Sequence, residues 1–327
     1  MFTVAQDGSG DARTIQEAAD RAERNETGRI EILVRPGIYR ERVVITRDHL
    51  LLRGEDQDTT VLTWSACAKD PDAEGKEKGT FLSFTLLVTG ADVTVENMTV
   101  RNDAGEGWLV GQAVAVYAAG DRGTWRNCRL TAHQDTLYCG PMMPNVEAEI
   151  APRTHGTFRA MRTGECPMPQ GRQLFEDCLI RGDVDFIFGP YRCWFERCTL
   201  YMNKRGGFYT AANTPEEADY GFVFRDCLLT GECEPGEGYL GRPWRKFCRT
   251  LFLNCEMDEH VAPAGFMDWD AERLVTDRCG EWNTRGARAD MLFRHPSEKR
   301  LTAEEAGKVT RQAVLGDDAE WEMSGWK

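Results

Sequence analysis

A short motif recurs along this chain and restricts the folds open to it: an aromatic residue, two mostly polar positions and a cysteine. It reads Trp125-Arg126-Asn127-Cys128, Phe175-Glu176-Asp177-Cys178, Phe195-Glu196-Arg197-Cys198, Phe224-Arg225-Asp226-Cys227 and Phe252-Leu253-Asn254-Cys255. Val95-Glu96-Asn97-Met98 is an earlier copy with Met in place of Cys. From Cys178 the next three motif cysteines, Cys198, Cys227 and Cys255, follow at intervals of 20, 29 and 28 residues, a period that belongs to solenoids. Segments such as Val93-Thr94-Val95 and Gly221-Phe222-Val223-Phe224 alternate with period two and are rich in β-branched and aromatic residues, so they read as half-buried strands. Corners rich in Gly and Asn separate them, as at Gly120-Asp121-Arg122-Gly123 and Asn203-Lys204-Arg205-Gly206-Gly207. An all-β, single-stranded, right-handed parallel β-helix follows, each coil burying one aromatic and one cysteine. A leucine-rich-repeat horseshoe fits poorly, because leucines do not recur at its spacing.

Both ends of the chain carry helix signals. Thr14 with Glu17, and Thr302 with Glu305, have the spacing of a capping box, and short helices there would close the ends of the stack. The expectation is a single domain over residues 1–327. One interval breaks the period: Cys128 and Cys178 are 50 residues apart, about two coils. The surplus, at about 139–173, reads as a long excursion that leaves and returns near the strings it joins and can form a wall of a cleft.

The twelve cysteines are read as interior residues of the ladder rather than as disulfides, and the five histidines show no metal-binding spacing, so neither a metal nor a cofactor is expected. A net charge of −13 argues against nucleic acid, whose phosphates need a basic surface. No apolar run reaches the length of a membrane span. The N-terminus lacks the basic and apolar regions of a secretion signal. With the cysteines unpaired, a cytoplasmic protein is expected, the alternative being a secreted one whose signal has been removed.

Two aspartates carry the chemistry. Asp135 lies in Gln134-Asp135-Thr136-Leu137-Tyr138 and Asp185 in Gly182-Asp183-Val184-Asp185-Phe186-Ile187-Phe188-Gly189, each seven residues after a motif cysteine. If the motif is a structural repeat, the two carboxylates occupy one position on different coils. Side by side they cannot both ionise easily, so one can donate a proton while the other stays charged. The five serines (Ser9, Ser65, Ser83, Ser297 and Ser324) include no G-x-S-x-G elbow, which leaves a carboxylate as the candidate acyl nucleophile.

The chain resembles the pectin methylesterases over nearly its whole length. The resemblance is carried by Asp7-Gly8-Ser9-Gly10 leading to Thr14-Ile15-Gln16-Glu17-Ala18, by Gly37-Ile38-Tyr39-Arg40-Glu41 and by Gln112-Ala113-Val114-Ala115-Val116, followed by the two aspartate strings and Leu240-Gly241-Arg242-Pro243-Trp244. It implies hydrolysis of methyl esters of polygalacturonate or oligogalacturonides, with Asp185 as nucleophile and Asp135 as general acid and then base. Gln112 and Gln134 would donate to the oxyanion, and Arg242 would hold Asp185 ionised. Phe188 and Trp244 would line the cleft, with Tyr138 contributing. The physical logic agrees: Arg242 would lower one aspartate's pKa, and the resulting charge would raise its neighbour's. Tyr117 stands where many relatives place an arginine.

Other residues read as structural. Asp183 would cap a turn, and Gly182, Gly189 and Gly241 would satisfy tight corners. Tyr39 and Glu41 would form a structural pair, Asn97 a buried corner, and His133 a packing residue. Three other functions stay open. A pectin lyase would need calcium carboxylates and a base. A glycoside hydrolase would set its carboxylates apart by a water. A binding protein with a dead site would lack one of the three charged groups. Drift of the same site to acetyl esters or thioesters is also compatible with these residues. The negative charge should favour short or highly methylated substrates, and capped ends lead one to expect a monomer.

Overall fold

The computed structural model describes residues 1–24, 28–151 and 171–316. Within them the chain winds as a right-handed parallel β-helix built from three sheets of 11, 8 and 7 strands, and all strand pairings within the sheets are parallel. Each full coil contributes one strand to each sheet in turn. One such coil runs through Gly123–Arg126 in the first sheet, Arg129–Thr131 in the second and Leu137–Cys139 in the third.

The aromatic motif sets the register of the first sheet. Trp125, Phe175, Phe195, Phe224 and Phe252 are direct partners on successive strands. Their rings stack at centroid distances of 5.8, 4.6, 4.4 and 4.7 Å, with interplanar angles of at most 15°. After each ring the third motif residue turns the corner in the left-handed region, with φ between 46° and 57° at Asn97, Asn127, Asp177, Arg197, Asp226 and Asn254. Short Asn and Asp side chains tolerate that conformation. Asn127 donates to Asn97 and Asn283 to Asn254, both at 2.9 Å. Asn97 itself is half-buried rather than buried.

The cysteines face inward as expected, and the eleven described ones are all buried and free. They do more than fill space. The Cys178, Cys198, Cys227 and Cys255 thiols each donate to the carbonyl of the motif aromatic one coil earlier, at 3.4 to 3.6 Å. Phe195 is wholly buried between two rings. Phe195→Ala should therefore lower the unfolding free energy by about 3–5 kcal/mol, read by urea denaturation. A loss below about 1 kcal/mol would mean that the ladder does not carry the core.

Helix α1 (Ile15–Glu23) closes the N-terminal end, burying Ile15, Ala18, Ala19 and Ala22, with Thr14 as its cap. Glu41 accepts from the α1 backbone N–H groups of Ile15 and Gln16 at 2.7 and 2.9 Å. Tyr39 instead donates to the Arg35 carbonyl at 3.0 Å, so the two residues are structural but do not pair. The C-terminal helices depart from end-capping. The two segments Ala303–Lys308, with its full capping box, and Arg311–Leu315 lie against the outer face of the first sheet. There Ala306, Val309, Val314 and Leu315 cover Leu174, Trp194, Val223 and Leu251. Those sheet residues alternate with the interior ring ladder and would otherwise face water.

The excursion begins as a second packing layer. Helix α3 (Pro144–Ile150) buries Val146 and Ile150 against the outer face of the third sheet, together with Met142 and Phe81. Tyr117 anchors its start, donating to the Pro141 carbonyl and accepting from the Met143 N–H, both at 2.9 Å. Residues 152–170 of the expected excursion lie outside the described residues. Helix α2 (Gly107–Val110) is a single turn ahead of the third sheet.

Candidate active site

The two aspartates occupy equivalent positions on adjacent coils. Leu137 pairs with Ile187 and Tyr138 with Phe188, and two residues before each pair stand Asp135 and Asp185, both in the left-handed region at φ 64° and 52°. Each ends the corner between the second and third sheets. The Asp135 N–H donates to the Val184 carbonyl at 3.0 Å, so one string is hydrogen-bonded onto the other. Non-glycine residues in this conformation cost about 1–3 kcal/mol and cluster at functional sites.

Arg242 reaches Asp185 from the end of the last strand of the third sheet. Its Nε and Nη2 donate to Oδ1 and Oδ2 at 2.8 and 2.7 Å, a bidentate pair that fixes the carboxylate plane. The guanidinium lies between two rings, 4.1 Å from the centroid of Phe208 and 3.8 Å from that of Trp269. Gly241 before it is required by space: a Cβ there would sit 2.1 Å from Thr210 Oγ1.

Burial lifts both carboxyls above the ordinary aspartate value. For Asp185 the Arg242 hydrogen bonds and charge pull back against burial. For Asp135 burial comes first and the negative charge of Asp185 adds to it, so its pKa lies well above the usual range, with Arg242 a lesser opposing influence and Asp183 a further raising one. The expected depression of Asp185 is thus outweighed by desolvation, but the order of the two groups stands. Asp185 is the carboxylate held by a cation, and Asp135 is the carboxyl that keeps its proton longer.

These groups line a cleft of roughly 220 Å³ with Gln112, Gln134, Phe188 and Trp244. Among the described residues neither glutamine side chain makes a hydrogen bond within the protein, so both amides are available to a ligand. Phe188 and Trp244 contact edge to face at 5.9 Å. Tyr138 does not line the cleft. It is 2% exposed, beneath Phe81 and Phe188 at 4.9 Å from each ring, because Phe81 covers its position in the outward row of the third sheet.

Thr80, Phe81, Ala211 and Trp269 also line the cleft and were not singled out from the sequence. Trp269 lies in the aromatic stretch Phe266-Met267-Asp268-Trp269 just past the last motif cysteine, the one signal that could have drawn attention to it. Phe81 comes from a single 3-10 turn, Thr80–Leu82, with no periodic pattern. It is held from behind by α3, so the described part of the excursion supports the cleft wall without lining it. His133 is neither a packing residue nor free: its Nδ1 is 2.8 Å from Asp183 Oδ2. Asp183 is buried and accepts from the Val184 N–H at 2.7 Å, which pins the turn within the second string just before Asp185.

The family model for Pectinesterase matches residues 1–142 and 168–318. Pectinesterase 31 of Arabidopsis thaliana is 31% identical over 322 residues, spanning 96% of this chain and 92% of that protein. Pectinesterase QRT1 of the same plant is 31% identical over 330 residues, spanning 97% and 78%. Among solved structures, pectin methylesterase from carrot superposes with a TM-score of 0.79 at 26% identity, covering 96% of this chain and 92% of that one. A pectin methylesterase in complex with a hexasaccharide gives 0.77 at 26% identity, covering 96% of each chain.

Proposed function

The chain belongs to the pectinesterase family of carboxylic ester hydrolases, and from that premise we propose that it hydrolyses the C6 methyl ester of galacturonate units in pectin or pectic oligosaccharides, releasing methanol. The observation that carries this reading is the unequal pair of buried carboxyls, one bound bidentately by Arg242 and its neighbour with a pKa raised well above the usual value. It is the arrangement that acyl transfer through a carboxylate requires.

In the proposed reaction an Asp185 oxygen attacks the ester carbonyl carbon, and the carbonyl oxygen takes the negative charge. The free amides of Gln112 and Gln134 donate to that oxyanion. As the tetrahedral intermediate collapses, the bond to the methoxy oxygen breaks and protonated Asp135 gives its proton to the departing methanol. Asp185 is left acylated as an anhydride. Asp135, now a carboxylate, takes a proton from water, whose oxygen attacks the substrate-derived acyl carbon of the anhydride. Asp185 leaves ionised and Asp135 ends protonated, which restores the starting state. Arg242, fixed between Phe208 and Trp269, orients the nucleophile, and Phe188 and Trp244 supply apolar faces for sugar rings. The whole of 1–327 is proposed to serve this one activity.

The reading is tested by methanol release from highly methylated pectin and from a methylated trigalacturonate. Release from at least one is expected, and silence on both would remove it. Gln112→Ala and Gln134→Ala should each lower kcat by about 10²-fold, because one donor to a developing oxyanion is lost. A rise in KM alone would instead make these amides ground-state contacts.

A further inference from the structure

Two residues ahead of each catalytic aspartate stands a second pair, His133 on one coil and Asp183 on the next. The two strings meet rung by rung: the Asp183 N–H donates to the His133 carbonyl and the Asp135 N–H to the Val184 carbonyl, both at 3.0 Å. His133 Nδ1 lies 2.8 Å from Asp183 Oδ2, and the Val184 N–H donates to Oδ1 at 2.7 Å. A carboxylate only accepts, so beside an ionised Asp183 the Nδ1 carries a proton. Asn203 Nδ2, 3.3 Å from the same Nδ1, then serves the Ala132 carbonyl at 3.1 Å. Glycines close over the pair. A Cβ on Gly107 would lie 3.4 Å from Asp183 Oδ1, and one on Gly207 2.5 Å from the Asp183 carbonyl oxygen.

Pinning this turn does not require a charge. An asparagine would accept from the Val184 N–H equally well, and burying a carboxylate costs more than burying an amide. What the charge adds is felt next door. Asp135 stands among Asp183 and Asp185 with Arg242 as the cation that acts on it, so the three carboxyls cannot readily all ionise. Hydrogen-bond donors decide where the proton stays. Asp185 accepts two N–H groups from Arg242, and Asp183 is held by Val184 and His133. Among the described residues the Asp135 carboxyl accepts none. On its other side the His133 ring is 31% exposed and lines a surface pocket with Arg101, Asp103 and Arg181. Those charges are matched outside the pair, Arg181 by Glu232 at 2.7 Å and Arg101 by Asp103 at 3.8 Å.

We propose that Asp183, held ionised by His133, is a positioning residue for the general acid: it places a second negative charge beside Asp135 and so keeps the proton there on the alkaline side of the reaction's pH range. Asp185 loses its charge when it becomes acylated, and with it goes one of the two charges that hold that proton. Asp183 takes no part in the covalent chemistry, so its charge persists through that step. The inference rests on the esterase reading of the cleft and adds to it the group that sets how far into alkaline pH the acid still works.

Carboxyl NMR titration of the substrate-free protein tests this without catalysis. Asp183→Asn retains an oxygen for the Val184 N–H and should move the higher titration step of the Asp135–Asp185 pair to lower pH. In methanol release from highly methylated pectin, the same variant should lose activity increasingly along the alkaline limb, reaching about tenfold at a fixed pH, through kcat rather than KM. His133→Ala removes a donor from Asp183 and should move the limb in the same direction. His133→Asn puts an N–H in the place of Nδ1 and should restore it. An unmoved titration step in Asp183→Asn would overturn the proposal, as would a loss of kcat equal at every pH, since Asp183 would then only shape the turn. A protein whose titration step moves but whose wild type releases no methanol would keep the proton assignment and lose the esterase reading. Methanol release with an unmoved step would do the reverse.

Discussion

Asp185→Asn should reduce methanol release from highly methylated pectin by on the order of 10⁴-fold or more, because an amide cannot act as the acyl nucleophile. The substitution is nearly isosteric in a site where the residue is 5% exposed, so the stack should remain folded, as circular dichroism would read. A second consequence separates this mechanism from a merely structural pair. Asp135 keeps its proton partly because Asp185 is negative beside it, so neutralising Asp185 should bring the Asp135 pKa down, measurable by carboxyl NMR titration. The wild-type rate should be bell-shaped in pH. Its acid limb is set by ionisation of Asp185, above the ordinary aspartate value, and its alkaline limb by deprotonation of Asp135, higher still. Asp135→Asn should abolish turnover, since proton delivery to methanol and activation of water both run through Asp135. A variant Asp185→Asn that keeps more than about a hundredth of wild-type kcat would give the nucleophile's role to another group.

Much of this site was legible because the repeat that builds the fold also spaces the chemistry. The motif cysteine fixes the phase of each coil, and seven residues later the chain reaches the same corner, so Asp135 and Asp185 come out on adjacent coils without any knowledge of three dimensions. Arg242 was legible through the resemblance, since nothing in the repeat says that a side chain from the end of a later strand reaches back to Asp185. What stayed hidden came from segments with no period. Trp269, which flanks Arg242 at 3.8 Å, sits in a loop where sequence gives composition but no register. Tyr138 was misplaced for a related reason. Its position in the strand is right, as its pairing with Phe188 shows, but exposure of an outward row depends on what covers it. The cover is Phe81 with α3, neither of which announces its docking site. The C-terminal helices show the same limit: a capping box predicts that a helix starts, and only the apolar outer residues of the first sheet decide where it lies.

The other large effect concerns the C-terminal end of the stack, where two carboxyls share one cation. Arg294 donates to Glu281 at 2.6 Å through Nε and to the Pro263 and Arg288 carbonyls at 3.0 and 2.6 Å. Glu298 lies 3.8 Å from the same Nε. The side chains of Glu281 and Glu298 are wholly inaccessible to solvent and that of Arg294 nearly so. As a carboxylate Glu298 would have no hydrogen-bond donor; as a neutral acid it can donate to Glu281. Burial, then that hydrogen bond and the Glu281 charge, push its pKa up to about 10, with Arg294 opposing, against an ordinary 4.5. A folded-state pKa above the unfolded one means that the folded protein binds the proton more tightly. The contribution to stability is therefore complete below pH 4.5 and declines as pH rises, until it is gone above about pH 10. The slope across that window is up to about 1.4 kcal/mol per pH unit. Glu298→Gln keeps a neutral donor and removes the titration. Its stability relative to wild type should thus rise by several kcal/mol between pH 5 and pH 9, on the order expected from that slope. A difference that is flat with pH would show that Glu298 is ionised in the folded state. Arg294→Met supplies the converse: it leaves two buried carboxyls with no cation and should cost about 3–5 kcal/mol at neutral pH. None of the three residues lines the cleft, so kcat measured below the unfolding transition should be unchanged in both variants. Stability and catalysis would then be shown to draw on separate sets of buried charge.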